Sequence, residues 1–245
     1  MHEEYLINYL KRYSYYRNDR INTKALIRGL MNTTIPNNLS DEFYKKQDEY
    51  LQDLVNNIET IDVTNLDYQD NIALFQGDII KLKADALVNA GNSALLGCFS
   101  PNHTCIDNAI HSYAGLEVRR DLMNILNGRN VANGEVIPTL GYNLKAKYIF
   151  HTVGPIYNNT KENEIDLSLC YINSLKEASK LHLNNIVFCS ISTGVYGYPI
   201  EEASKIAIDT VKKYMKDNNL NIKVIFDTFS DYDFYIYRKA LNHDN

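Results

Sequence analysis

The chain has 245 residues, 45% of them hydrophobic, which is enough for one sizeable folded domain with an appendage. Its formal net charge is -5 and it has no basic tract, which argues against a nucleic-acid partner held by bulk positive charge. No apolar run approaches the length of a membrane span and the first residues lack a signal-peptide pattern, so we expect a cytoplasmic protein with no membrane partner.

The first 70 residues have helical patterns without strand-like alternation. Ser40 is placed to cap a helix whose first turn carries Asp41 and Glu42. Apolar spacing indicates two earlier helices, near residues 5–10 and 25–30. Turn and linker signals follow at 60–70. We therefore predict a helical N-terminal extension over residues 1–70 and a second domain over residues 71–245.

From Ile72 the pattern changes to short β-rich runs that alternate with helix-length segments. The predicted strands are 72–75, 84–89, 147–153, 186–191 and 222–227. The predicted helices are 105–126, 165–181, 200–216 and 232–241. This alternation indicates an α/β fold with a mostly parallel sheet covered on both faces. In such sheets ligands bind beyond the carboxyl ends of the strands.

The four cysteines are more often thiols or metal ligands than disulfides in a reducing compartment. Cys170 and Cys189 stand in apolar surroundings, which is typical of buried and inert thiols. The other two belong to the strongest local signal, Cys98-x4-His103-x-Cys105. Two thiols and an imidazole within eight residues suit a zinc ion, and three protein ligands leave one coordination position for water or substrate.

Two alternatives to an open zinc site remain at this point. One is a loop without metal. The other is a closed structural zinc site completed by a distant residue, for which the candidates are His111, His151 and Cys189. Asp107 follows in the first turn of the next predicted helix. It is either a simple partner of the helix dipole or a group that orients or deprotonates a water.

Three other loops carry polar or small residues where predicted strands end. Asp78, in Gly77-Asp78-Ile79, can accept a hydrogen bond from an exocyclic amine or can simply cap a turn. Asn89 and Asn92 offer donors and acceptors for ribose hydroxyls, or form a structural turn. The segment Ser192-Thr193-Gly194-Val195-Tyr196-Gly197 leads from an apolar strand into a helix, so its backbone N–H groups can point at a phosphate.

In this order, the motifs resemble those of the macrodomain family of ADP-ribose-binding modules, over about residues 72 to 240. The matching segments are Gly77-Asp78-Ile79, Val88 to Ser93, Ile106 to His111, Gly134 to Pro155 and Ser192 to Gly197. The insertion from Gly97 to Cys105 looks like the zinc-containing subgroup, bacterial and fungal protein-ADP-ribose hydrolases with a helical N-terminal extension. The resemblance implies a three-layer α/β/α fold with a mixed, mostly parallel sheet.

The resemblance also implies a role for each matching residue. Asp78 would recognise the adenine amine with the Ile79 backbone beside it, and Phe229 or Tyr232 would stack on adenine. The residues assigned to the sugar and phosphates are Asn89 and Asn92 at the distal ribose, Ser192, Thr193, Gly194, Val195, Tyr196 and Gly197 around the diphosphate, and Tyr196 against the distal ribose. Asp107 and Asn92 would be catalytic, and Cys98, His103 and Cys105 would hold zinc.

By the same resemblance, the expected activity is zinc-dependent removal of mono-ADP-ribose from protein side chains, a glycosidase-type hydrolysis. Some members act on a lipoyl-carrier protein, which is therefore an expected partner beside ADP-ribose and mono-ADP-ribosylated protein. Two departures stand out. Gly91 replaces an alanine of the family pattern, and the metal loop, residues 97–105, replaces a glycine run before the aspartate. A non-catalytic ADP-ribose reader and an O-acetyl-ADP-ribose deacetylase are the alternative functions.

Overall fold

The structure is a computed structural model and describes residues 2–18 and 20–242. Its helices are α1 His2–Leu10, α2 Thr23–Asn32, α3 Asp41–Asn56, α4 Ile106–Ala114, α5 Leu116–Leu126, α6 Lys161–Lys180, α7 Ile200–Asp217 and α8 Asp231–Asn242. Its strands are β1 Ile61–Asp62, β2 Ile72–Gln76, β3 Leu82–Ala90, β4 Val136–Leu140, β5 Ala146–Thr152, β6 Asn185–Phe188 and β7 Lys223–Thr228. None of the described helices combines the length and hydropathy needed to cross a bilayer.

The strands form one mixed sheet in the order β2-β7-β6-β3-β5-β4, with β1 paired to the start of β3. Only the β4–β5 pair is antiparallel within this path. Successive residues along β3 and β6 are buried, so both faces of the sheet are covered. Helices α6, α7 and α8 pack side by side in one group, and α4 and α5 form a separate pair. The predicted α/β fold with a mostly parallel sheet is confirmed.

Two details of the predicted element order are wrong. The predicted helix 105–126 is two helices, because Gly115 has φ +108° and breaks the chain direction between α4 and α5. The antiparallel strand β4 was not predicted. It contains Pro138, which lacks an N–H donor and is tolerated only because β4 is an edge strand.

The three predicted N-terminal helices are confirmed, and the Ser40 side chain caps α3 by accepting from the Phe43 amide. Their apolar side chains form a separate buried cluster that Leu116 of α5 joins. Residues 61–62, inside the predicted extension, pair with Leu82 and Lys83 of the sheet. The boundary near residue 70 stays a prediction.

Candidate functional site

The candidate site lies where β3 and β5 end and α4 begins. Asn89 and His151 are directly paired in register on the two strands, and both are fully buried. Asn89 donates from Nδ2 to Asp107 Oδ1 over 2.8 Å, and the same Nδ2 is 3.1 Å from His151 Nδ1. Burial lowers the pKa of His151 to about 3, so the ring is neutral. Because Asn89 Nδ2 can only donate, His151 Nδ1 accepts from it and the ring hydrogen is on Nε2, which donates to Thr139 Oγ1.

Asp107 is a buried carboxyl group whose proton affinity is raised. Burial raises its pKa to about 6, against the opposing hydrogen bond from Asn89 and the charge of Arg119. His111, one helical turn later, has Nε2 3.5 Å from Asp107 Oδ1. Burial lowers the pKa of His111 well below its usual value, so it is a neutral packed ring. A carboxyl group with a pKa near 6 is suited to exchange a proton with a water at neutral pH.

The loop after β3 brings the chain from Asn89 to the predicted metal ligands. Gly91 donates its N–H to Thr152 O over 2.9 Å, and an added Cβ there would lie 3.0 Å from Leu95 and 3.4 Å from Asp107. Asn92 is exposed, accepts from the Ala94 amide and donates from Nδ2 to Gly97 O over 3.3 Å. The Asn92 side chain therefore closes the turn that enters the loop.

The structure brings the three predicted metal ligands together. The donor atoms of Cys98, His103 and Cys105 all lie within 4.8 Å of one another, and Cys98 Sγ is 3.7 Å from His103 Nδ1. A thiolate and an imidazole nitrogen bound tetrahedrally to one zinc ion are about 3.6 Å apart, so the geometry fits zinc. Over residues 2–18 and 20–242, no fourth His, Cys, Asp or Glu donor belongs to this group.

The residues considered for a closed site do not join the cluster. His111, His151 and Cys189 lie outside the group. The two other cysteines, Cys170 and Cys189, are buried as predicted, and burial raises their pKa values to about 11 and about 12. The group is therefore a three-ligand cluster that could hold a metal ion.

Asp78 and Ile79 follow the carboxyl end of β2, which is the edge strand of the sheet opposite β4. Asp78 is half-buried, and its side chain caps a short 3-10 turn by accepting from the Ile80 amide. Sequence reasoning missed Asp227, which ends the apolar run of β7 nearby. Burial and the Asp78 charge raise the pKa of Asp227 well above its usual value. A carboxylate within an apolar strand was the signal that could have found it.

The predicted diphosphate loop, residues 192–197, joins the end of the β6 segment to α7. Ser192 is buried with φ +67° and accepts from the Tyr198 amide, while Gly194 and Val195 are exposed. Within the part of the chain that the structure describes, the amides of Gly194, Val195 and Tyr196 donate to no protein acceptor. These donors are available to an anionic ligand.

Tyr196 connects this loop to the acid. The ring is half-buried, and burial, followed by the charge of Asp107, raises its pKa. The loop itself is held by the Tyr157 amide, which donates to Tyr196 O over 2.9 Å. Tyr196 and the candidate ligand Cys105 therefore both lie close enough to Asp107 to be affected by its charge.

A cleft of about 830 Å³ lies elsewhere, between the start of β2 and the ends of α7 and α8. It contains none of the predicted site residues. A second cleft of about 390 Å³ lies between α2, α3 and α4 and reaches Asn102 in the metal loop. Side-chain chemistry rather than cavity size therefore identifies the candidate site.

Comparison with known proteins gives consistent results. Residues 88–207 match the model of the Macro domain family. A protein-ADP-ribose hydrolase of Staphylococcus aureus strain Mu50 is 44% identical, over 98% of this chain and 95% of the relative. A protein-ADP-ribose hydrolase of Treponema medium is 36% identical, over 91% of this chain and 89% of the relative.

Solved structures show the same fold. The Oceanobacillus iheyensis macrodomain with ADP superposes with a TM-score of 0.64 at 39% identity, over 70% of this chain and 90% of that one. The Trypanosoma brucei macrodomain in complex with ADP-ribose superposes with a TM-score of 0.67 at 29% identity, over 84% of this chain and 92% of that one.

Proposed function

Because the chain belongs to the macrodomain family, we propose that it is a hydrolase that removes mono-ADP-ribose from modified protein side chains. Its relatives named protein-ADP-ribose hydrolase align over 98% and 91% of this chain, which is more than the predicted macrodomain alone. Macrodomains of similar structure are described with ADP and ADP-ribose. These names and complexes support ADP-ribose as the group that the site binds.

One observation carries the proposal: Asp107, a buried carboxyl group, follows the last candidate metal ligand, Cys105, by two positions in the sequence. Asp107 has its pKa raised to about 6, and it is held in place by Asn89. Cys105, the last ligand of the cluster, also caps α4 by accepting from the Asn108 amide. A binding module needs no such acid, whereas hydrolysis needs a group that takes a proton from water.

Zinc fits the cluster of Cys98, His103 and Cys105, and as a bound cation it would supply Lewis-acid stabilisation of negative charge beside the distal ribose. The remaining work falls to the chain's own residues. In the proposed arrangement Asp78 and Ile79 bind adenine, and the amides of the loop from Ser192 to Gly197 bind the diphosphate. Binding energy at these remote groups positions the reacting carbon.

We assign proton transfer to Asp107. Its Oδ1 accepts from Asn89, which leaves Oδ2 for a water. The water oxygen forms a bond to C1 of the distal ribose while the bond from C1 to the protein side chain breaks. The water proton passes to Oδ2, and Asp107 then returns it to the leaving side chain. Tyr196 packs against the distal ribose, and Asn89 and Asn92 border it.

The test is release of free ADP-ribose from a mono-ADP-ribosylated protein, followed by chromatography. A lipoyl-carrier protein bearing the modification is one substrate to include. Multiple turnovers with loss of label from the protein are the expected result. Tight ADP-ribose binding without release would instead establish a reader. Faster turnover of O-acetyl-ADP-ribose than of every modified protein would establish a deacetylase.

A further inference from the structure

We propose that helix α2 of the N-terminal extension is part of the metal centre, because Arg28 and Asn32 hold the metal loop in its ligating shape. The metal loop is residues 97–105. The inference rests on the proposed zinc ligation by Cys98, His103 and Cys105, and it assigns the extension a role in the reaction beyond packing on the sheet. Arg28 and Asn32 are positioning residues, since neither belongs to the ligand cluster.

Arg28 contacts the loop directly at one of its ligands. Its Nη2 donates to the backbone carbonyl of His103 over 3.1 Å. Its Nε and Nη2 also donate to Asn108 Oδ1, over 3.1 and 2.8 Å. The planar guanidinium offers these donors in a fixed fork, which a lysine ammonium cannot reproduce.

Asn108 carries the effect of Arg28 to the rest of the loop. This side chain is fully buried, and because Arg28 occupies its Oδ1, its Nδ2 faces the loop. Nδ2 donates to Ser100 O over 3.0 Å and to Cys98 O over 3.4 Å. The Asn108 amide donates to Cys105 Sγ over 3.4 Å. One buried residue, oriented by Arg28, therefore touches the residues of both cysteine ligands.

Asn32 fixes the middle of the same loop. It is 1% exposed, its Oδ1 accepts from the Asn102 amide over 3.0 Å, and its Nδ2 donates to Ser112 Oγ over 2.9 Å. Asn102 directly precedes the ligand His103 and has φ +55°. A side chain that fixes this left-handed residue also fixes the direction in which His103 leaves the turn.

Arg119 of α5 connects the metal loop to the end of α2. It is 1% exposed and donates to Leu96 O, at the entry of the loop, and to Met31 O and Thr34 O, at the end of α2. Its guanidinium lies 4.4 Å from the ring centroid of Phe99. The metal loop is thus held between the extension and the second domain.

Charge and position predict opposite effects of removing Arg28. A positive side chain beside a cation site opposes cation binding, so losing its charge alone would tighten zinc binding. If Arg28 instead holds the ligands in place, its loss weakens zinc binding. Whether zinc affinity rises or falls when Arg28 is removed therefore distinguishes a charge effect from a positioning role.

The experiment compares full-length Arg28→Ala, Arg28→Lys and Lys24→Ala with the unchanged protein. Lys24 is an exposed cation on the same helix, one turn earlier, and serves as the matched control. Zinc affinity is measured by competition with a chromogenic chelator, and ADP-ribose affinity by calorimetry. Loss of outer contacts of this kind weakens metal binding by roughly 10–100-fold, which is the effect expected for Arg28→Ala.

Arg28→Lys should weaken zinc binding less, and Lys24→Ala should leave it unchanged. ADP-ribose affinity should be the same in all variants. Turnover of Arg28→Ala at limiting zinc should be low, and excess zinc should restore it. If Arg28→Ala does not fold, Arg28→Lys decides alone. Zinc binding as tight as in the unchanged protein, or tighter, overturns the inference. An unchanged protein that binds no zinc overturns both this inference and the proposed metal.

Discussion

Asn89, at the end of β3, donates to Asp107, in the first turn of α4, over 2.8 Å. Both side chains are buried, and the Asn89 amide nitrogen also lies 3.1 Å from His151 on the neighbouring strand. The acid is therefore fixed to the sheet rather than carried on a mobile loop. This attachment explains how a carboxyl group can keep one position beside the metal loop. Asp107 is therefore the most informative residue to substitute.

Asp107→Asn should abolish most turnover without loss of the fold. The new amide oxygen can still accept from Asn89, but the side chain can no longer take a proton from water. Turnover should fall by roughly 10²–10⁴-fold, the usual contribution of general acid–base catalysis. Release of ADP-ribose from modified protein measures the change, and calorimetry with ADP-ribose should show retained affinity.

Asp209→Asn, which changes an exposed carboxylate on α7, is the control and should turn over normally. Full activity of Asp107→Asn would remove Asp107 from the mechanism.

Cys105→Ser should separate the two contacts of this residue. Serine is a good helix cap, so it can replace the sulfur that accepts from Asn108, and with a chelator present the variant and the unchanged protein should melt at the same temperature. A serine hydroxyl does not replace a thiolate as a zinc ligand, so zinc content should drop. Elemental analysis and thermal unfolding check both. Cys170→Ala, outside the cluster, should keep its zinc. Normal zinc content in Cys105→Ser would contradict the assigned ligand.

Two glycine substitutions test the proposed diphosphate loop. An added Cβ at Gly154 would clash with Ser192 Oγ and lie 2.7 Å from Ile191, so Gly154→Ala should displace the loop and lower both the melting temperature and ADP-ribose affinity. An added Cβ at Gly194 meets no atom within 4 Å. Gly194→Ala should therefore keep its melting temperature and lose affinity only through contact with the ligand. Unchanged affinity in both variants would place the diphosphate elsewhere.

Glu117 should make stability depend on pH. Burial, followed by the charge of Asp48, raises its pKa from 4.5 to about 7, although Gln47 donates to it over 2.7 Å. The folded state thus binds the proton more tightly, so the free energy of unfolding falls as pH rises from 4.5 to 7, by up to about 3 kcal/mol. Glu117→Gln should flatten this fall.

Denaturant unfolding across this pH range measures the slope. Glu162→Gln, at an exposed position, should leave the slope as it is. An equal slope in Glu117→Gln would show that another group titrates.

The sequence predicted the Cys98, His103 and Cys105 cluster better than it predicted the contacts that support it. Cysteine and histidine spacing indicated the cluster, since three such residues in eight positions rarely serve packing alone. Nothing local indicated that Arg28 contacts His103, because their contact joins residues 75 positions apart in sequence. Arg119 did carry a signal: it falls at the spacing of the buried Leu116 and Leu122 on one helix face.

Fold prediction followed the same division. Alternating strands and helices predicted the parallel part of the sheet, whose central strands β3 and β6 are mostly buried. Strand β4 was missed because it contains Pro138, which is unusual in a strand. The break between α4 and α5 was missed because the apolar pattern continues on both sides of Gly115. Pairing with β5 decides the first case, and the positive φ of Gly115 decides the second.

Zinc dependence is best tested by measuring turnover of a mono-ADP-ribosylated protein before and after zinc is stripped and then restored. We expect stoichiometric zinc in the active protein, loss of ADP-ribose release when a chelator removes the zinc, and recovery when zinc is added back. Undiminished release from protein shown by elemental analysis to be free of metal would contradict zinc dependence.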